Sequence, residues 1–243
     1  MNRTWTLLLV ITFAVFALVS CSAPESDNGY ADTTPAEETN PDPTVVDAGH
    51  YKIEFENDRV RLVRISYGPG EESVMHYHPD SVAVFLTDSL VEMGLPDGSS
   101  EELAQQTGQH MFSPAGQHLP RNIGDSPMEL MLVELKSGSA TATAEMGPDP
   151  TVVDSDHYTL EFENESVRVI RIAYGPGEES VMHYHPDNVA VFLTDIHSEM
   201  GAADGSSEEM QSHAGQHGFA AADQHLPKNI GDEPFELVLV ELK

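Results

Sequence analysis

Basic residues are scarce: 11 Lys and Arg stand against 41 Asp and Glu in 243 residues, for a formal net charge of -30. A field of that sign repels phosphate backbones and anionic head groups, which excludes nucleic acid as a partner. Its plain meaning is a solvated surface that keeps the protein soluble. Cysteine occurs once, at Cys21, so no disulfide can close within the chain and no set of thiolates can hold a metal. No stretch sustains an apolar period of 3.6 residues, so amphipathic helices are not expected. The longest apolar run, residues 7–19, is broken only at Thr12 and is short for a bilayer span.

What is present is a repeat. Sliding the chain by 107 residues aligns 42–136 with 149–243 without a gap, and 67 of the 95 pairs are identical. That period is far longer than a solenoid repeat and matches a small domain, so the chain reads as a tandem duplication. The units are 42–136 and 148–243, joined by a small, polar linker at 137–147. Residues 67–80, YGPGEESVMHYHPD, return unchanged at 174–187. Inside this stretch His76 and His78 stand two residues apart, as do His183 and His185. On an extended strand such residues share a face, and two neighbouring imidazoles are a common way to supply two ligands of one metal ion. Around them lie short β-rich runs separated by turn residues such as Pro96-Asp97-Gly98. This pattern predicts an all-β barrel or sandwich, its strands following one another in a meander-like series.

The N-terminus pairs one positive charge, Arg3, with the apolar run, and ends in Leu18-Val19-Ser20-Cys21. This resembles the lipobox of bacterial lipoproteins. The resemblance implies a signal peptide over 1–20, lipidation of Cys21, and a place in the cell envelope. Ser22 after the cysteine implies the outer membrane, facing the periplasm, in a Gram-negative cell. Several acyl chains at about 0.8 kcal/mol per buried methylene would anchor the protein stably. Residues 21–41, rich in Ser, Asp, Glu, Thr and Pro, are expected to be an acidic disordered tether.

The histidine stretch also resembles the cupin superfamily. Its first motif, G-x5-H-x-H, is matched by Gly70, His76 and His78 and by Gly177, His183 and His185. Its second, G-x5-P-x-G-x2-H-x3-N, is matched by Gly108, Pro114, Gly116, His118 and Asn122, one residue short before the histidine. In the second unit Gly215, His225 and Asn229 match, while Ala221 and Asp223 replace the proline and glycine. The resemblance implies two tandem double-stranded β-helix (jelly-roll) barrels, each with a metal site inside. The family glutamate is missing: Val82 or Ala83, and Val189 or Ala190, stand where it should fall. The implied ligand sets are therefore His76, His78 and His118, and His183, His185 and His225, similar to three-histidine cupins such as thiol dioxygenases. Asp80, Asp187, Glu92 and Glu199 are the candidates for an additional carboxylate ligand.

A divalent metal would satisfy imidazoles that are costly to bury unpaired. Iron(II) comes first, with manganese, nickel, zinc and copper open. Arg64 and Arg171 interrupt apolar strands; an inward guanidinium would clamp a substrate carboxylate, an outward one would ion-pair with the abundant acids. Tyr77 and Tyr184 alternate with the ligand histidines and are expected to face away from them. His110 and His217 are either extra ligands or surface residues. Loss of the Pro114 and Gly116 equivalents is expected to loosen the turn before His225, favouring the first site. Two functions of different class follow: a dioxygenase-type oxidoreductase acting on a small organic molecule, or a non-catalytic binder of metal or a small ligand at the envelope. The cupin resemblance also implies pairing of barrels, within the chain or between chains.

Overall fold

Turn chemistry cuts the chain into strands. The structure, a computed structural model, describes residues 40–136 and 147–243. The expected signal peptide, Cys21, nearly all of the expected tether and the 137–146 part of the linker lie outside the described residues. In the first unit a four-residue helix, α1 (Pro43–Val46), has Asp42 as its N-cap, accepting from the Thr44 N–H, with Pro43 in the first turn. Nine strands follow: β1 (Tyr51–Glu56), β2 (Val60–Tyr67), β3 (His76–His78), β4 (Ser81–Phe85), β5 (Ser89–Gly94), β6 (Ser100–Gln105), β7 (His110–Ser113), β8 (Gly116–Asn122) and β9 (Met128–Leu135). Gly98 closes the β5–β6 hairpin at φ +86, a left-handed conformation that glycine adopts without strain.

The second unit repeats the series as α2 (Pro150–Val153), β10 (Tyr158–Glu163), β11 (Val167–Tyr174), β12 (His183–His185), β13 (Asn188–Phe192), β14 (Ile196–Ala202), β15 (Ser207–Ser212), β16 (His217–Ala220), β17 (Asp223–Asn229) and β18 (Phe235–Leu242). Each unit is a jelly roll of two antiparallel sheets, β1-β2-β9-β4-β7 over β3-β8-β5-β6, and likewise β10-β11-β18-β13-β16 over β12-β17-β14-β15. This corrects the meander expected from sequence: β2 pairs with β9 across more than sixty residues, so the strands cross between sheets rather than following one another. Two tandem barrels therefore make up the described chain.

The five-stranded sheets are apolar on both faces, which is why β4 and β9 read as continuous runs and not as alternating ones. On one face, Val63, Ile65, Ala83, Phe85, Leu130 and Leu132 fill the barrel. On the other, Val60, Leu62, Val82, Val84, Met131 and Val133 join Val167, Val169, Val189, Val191, Val238 and Val240 of the second unit in one buried cluster. The barrels thus pack sheet to sheet. Aromatic pairs frame the contact: Phe55 stacks on Phe219, and Phe112 on Phe162, each at 5.6 Å.

Candidate metal centres

Strand register assembles the site. His76 and His78 lie on β3 two residues apart, and His76 is directly opposite His118 of β8. His76 and His78 are buried, and their Nε2 atoms stand 3.1 Å apart. The ligand nitrogens of all three histidines lie within 4.8 Å of one another. The second barrel repeats this: His183 and His185 on β12 face His225 on β17, with Nε2 separations of 3.1 Å for His183–His185 and 3.0 Å for His183–His225.

Hydrogen bonds on the far side of the rings fix which nitrogen carries the proton. His76 Nδ1 is 2.7 Å from the Val74 carbonyl oxygen, which can only accept, so the proton sits on Nδ1. His78 Nδ1 donates to Glu134 Oε1 at 2.6 Å. Glu134 is itself buried and also takes the Nε–H of Arg61, whose Nη1 in turn donates to the helix-capping Asp42 at 2.5 Å. The Nε2 lone pairs of His76 and His78 are thereby turned toward each other at 3.1 Å. Two lone pairs so placed repel, and a cation between them converts repulsion into coordination. Nitrogens bound to one ion at about 2.0–2.1 Å stand roughly 2.9–3.4 Å apart in octahedral or tetrahedral geometry, so the spacing fits a metal. A carboxylate behind a ligand imidazole, as Glu134 is behind His78, is the usual outer support of such a site. Glu241 stands in the same place behind His185 at 2.6 Å, with Arg168 at 3.0 Å.

Burial pulls the His76 imidazole down to about 4 and His118 to about 3, and the neighbouring imidazoles pull in the same direction. Burial likewise takes His183 and His185 to about 4 and His225 to about 3. All are neutral, the ligand form, near pH 7. Burial raises the Glu134 carboxyl, but the hydrogen bonds from His78 and Arg61 outweigh it and hold the group below its usual range. In the second barrel burial prevails and Glu241 is pushed up to about 7.

A hydroxyl stands beside the first site, and in the second the Tyr158 ring lies edge-on to His183 at 4.8 Å. Tyr51 Oη lies 3.0 Å from His76 Nε2 and accepts from Tyr67 at 2.6 Å; Tyr174 donates to Tyr158 at 2.8 Å in the same way. Tyr51, Glu134 and Arg61, with their counterparts Tyr158, Glu241 and Arg168, were not singled out by sequence. Their only signal is retention between the repeats, which most of the chain shares.

The carboxylates proposed as extra ligands lie elsewhere. Asp80 and Asp187 accept from the backbone N–H of Ala115 and Ala222, at 2.8 and 2.9 Å, pinning the loop that leads into the third histidine's strand. That shared clamp also keeps the turn before His225 in register without the proline and glycine, contrary to expectation. Glu92 sits between the inward Val91 and Met93, so it faces out and accepts from Ser100; Glu199 lies opposite Lys228 in the same register. Arg64 and Arg171 do not reach the barrel interiors. They fall on the face of β2 and β11 that meets the other barrel, where Arg64 binds Glu54 and Glu129 and donates to the Gly215 carbonyl at 2.6 Å; Arg171 binds Glu161 and Glu236 and donates to Gly108. His110 and His217 are not ligands either: they meet Glu161 and Glu54 across the barrel contact at 3.2 and 3.3 Å. Tyr77 lines a groove between the barrels, outside the metal site.

Beside each histidine set opens a cavity of about 520 Å³. The first is walled by His78, His118 and Tyr51 at one side and by residues such as Met93, Met111 and Leu130 elsewhere; among the described residues no Lys or Arg lines either cavity.

By sequence, no family model and no curated protein matches the chain. Solved structures do match its fold. AerE from Microcystis aeruginosa superposes with a TM-score of 0.60 at 15% identity, covering 80% of this chain and 93% of that one. A variant of oxalate decarboxylase from Bacillus subtilis gives 0.55 at 16% identity, covering 76% and 69%. A cupin 2 conserved barrel domain protein from Leptotrichia buccalis gives 0.50 at 11% identity, covering 79% and 88%. With the strand order and the paired histidine sites, these likenesses establish that the chain has the tandem cupin, or bicupin, fold.

Proposed function

We propose that the protein is an envelope-anchored metalloprotein in which each barrel holds one divalent ion on three histidines, and that it acts as a dioxygenase-type oxidoreductase on a small, largely apolar organic molecule. The observation that carries this reading is the apolar cavity of about 520 Å³ that opens directly onto His78 and His118, with its counterpart at His185 and His225. A bound ion would supply open coordination positions for dioxygen and substrate. The chain's own residues do the rest. Glu134 and the Val74 carbonyl hold the imidazoles in the ligand tautomer, the Tyr51 hydroxyl offers a hydrogen bond at the edge of the site, and the apolar walls would receive the substrate.

Oxalate decarboxylase, one of the fold neighbours, has Mn(II) centres, so manganese competes with iron(II) for first place here. Its substrate class fits less well. A dianion needs a cationic clamp, and the candidates Arg64 and Arg171 are spent on the contact between barrels. Anchoring through a lipidated Cys21 belongs to the same proposal and rests on the lipobox resemblance.

Metal analysis of the purified protein tests the centre: two ions per chain are expected, falling to one in His118→Ala. Oxygen uptake with thiols and small aromatics tests the activity. Metal content unchanged by His118→Ala would overturn the ligand assignment. Full metal occupancy with no uptake would leave a binding protein in place of an enzyme.

A further inference from the structure

The two barrels have not diverged evenly. Every residue of the metal surroundings is repeated: Asp42, Tyr51, Arg61, Tyr67, Ser73, Glu134 and the three histidines all recur 107 residues later. The cavity walls behave differently. Of the 25 residues lining the first cavity, 11 are replaced at the equivalent position of the second unit, against 17 of the other 70 aligned positions. Change has gathered where a ligand would touch and has spared what holds the ion.

Four of the replacements set the character of each cavity. Met111 and Met128 line the first cavity; Gly218 and Phe235 take their places in the second. Both thioether chains leave these positions and one ring is gained, while Leu103 gives way to Met210; the volume stays at about 520 Å³ in both. Phe235 lies 5.1 Å from Tyr174, and with Phe192 they make an aromatic wall in the second cavity. Methionine adapts to irregular, flexible shapes, whereas an aromatic wall favours a flat ring. Beside the histidines Gly116 becomes Asp223, the one replacement among the 11 that changes charge; the carboxylate of the first cavity, the exposed Glu101, lies on β6. On the inward side of β5, with Val91 and Met93, stands Ser89, whose hydroxyl is shut off from solvent and has no hydrogen-bond partner among the described residues; Ile196 replaces it.

We propose that the two barrels are not duplicates in use but take different ligands. The first holds a neutral, flexible aliphatic molecule with one hydroxyl or carbonyl group. The second holds a flat aromatic molecule carrying a cationic nitrogen toward Asp223. This deepens the functional reading above, and rests on it for the idea that the cavities receive ligands. Positions 89, 111, 116 and 128, with 196, 218, 223 and 235, are the specificity determinants.

Calorimetric titration of the full chain with 2-naphthylmethylamine and with 1-octanol tests this. Each probe should saturate at one per chain, and each should bind unchanged when the other is already present. Asp223→Gly, at an exposed position where the fold is not at stake, should weaken the amine several-fold in low salt and leave the alcohol unaffected. Gly218→Met with Phe235→Met should weaken the amine tenfold or more, again without touching the alcohol. Competition between the probes, two equal sites for either, equal effects of the substitutions on both, or no binding of either probe would overturn the proposal. Metal content measured on the same samples keeps the two readings apart. Two ions per chain without discrimination sinks this inference alone, and discrimination without metal sinks the metal reading alone.

Discussion

Glu134 has two neighbours that can only donate to it, protonated His78 Nδ1 and Arg61, and it is almost wholly out of water. Its charge does two things: it keeps His78 in the tautomer that offers Nε2 to a metal, and it balances a half-buried guanidinium. Glu134→Gln keeps an acceptor in place but removes the charge, so metal affinity at the first site should fall 10- to 100-fold, read by competition with a chelator. Glu134→Ala strands Arg61 as well and should cost about 3–5 kcal/mol in unfolding free energy. A Gln variant with unaltered affinity would mean that the carboxylate is only structural. The histidines make a second prediction. Their pKa values, about 4 for His76 and about 3 for His118, lie below the unfolded value of 6.5. Below pH 6.5 the unfolded chain therefore binds protons that the folded chain refuses, and stability falls with pH through that window. Metal-free protein should melt at a lower temperature at pH 5 than at pH 7.5. Metal-loaded protein should lose less melting temperature over the same interval, because a bound ion holds the imidazoles in their neutral form.

Strand β9 shows how far the sequence could be read and where it stopped. The histidine pair was legible because period two on a strand admits a single arrangement, and the 107-residue repeat was legible because identity needs no structural assumption. Glu134 was not legible. In MELMLVEL both parities are apolar, so nothing in the run says which face is the barrel interior; only the pairing with β2 and β4 puts Leu130, Leu132 and Glu134 inside and Met131 and Val133 against the other barrel. Arg64 suffers the same ambiguity on β2, and its even parity with Leu62 is what carries it to the barrel contact and away from the cavity. The carboxylate of the cupin motif, missing from β4, has no replacement in the histidine clusters among the described residues, and the acidic support comes from β9 behind the ring. Because the sheet is buried on both faces, Met131→Ala should cost about 2–5 kcal/mol, comparable to truncating Leu132 on the opposite face, as read from denaturant midpoints at constant slope. A cost below about 1 kcal/mol would mean that the contact between barrels contributes little.

At the scale of the whole molecule, the contact between barrels is a near two-fold arrangement made by one chain. Glu54 meets His217 and Glu161 meets His110; Phe55 stacks on Phe219 and Phe162 on Phe112; Arg64 donates to Gly215 and Arg171 to Gly108. Translated into the first unit, each second-unit partner has the same residue type: His110 for His217, Phe112 for Phe219, Gly108 for Gly215. The surface of the first barrel is therefore complementary to itself, the condition for an isologous dimer. Departures from symmetry are few, and the clearest is Arg59, which reaches Asp187 at 3.0 Å while Ser166 stands at the equivalent position of the second unit. Residues 40–136 produced alone should fold and pair into a homodimer that buries Val60, Leu62, Val82, Val84, Met131 and Val133 against their own copies. Sedimentation should return twice the single-barrel mass, and Phe55→Asp, which places a charge against the partner's aromatic ring, should drive it toward monomer or aggregate. A folded, soluble monomer of the unsubstituted barrel would show that the covalent link, rather than the matched surfaces, holds the two halves together. The same logic predicts one cooperative unfolding transition for the whole chain, because neither barrel can open that sheet without exposing the apolar face of the other.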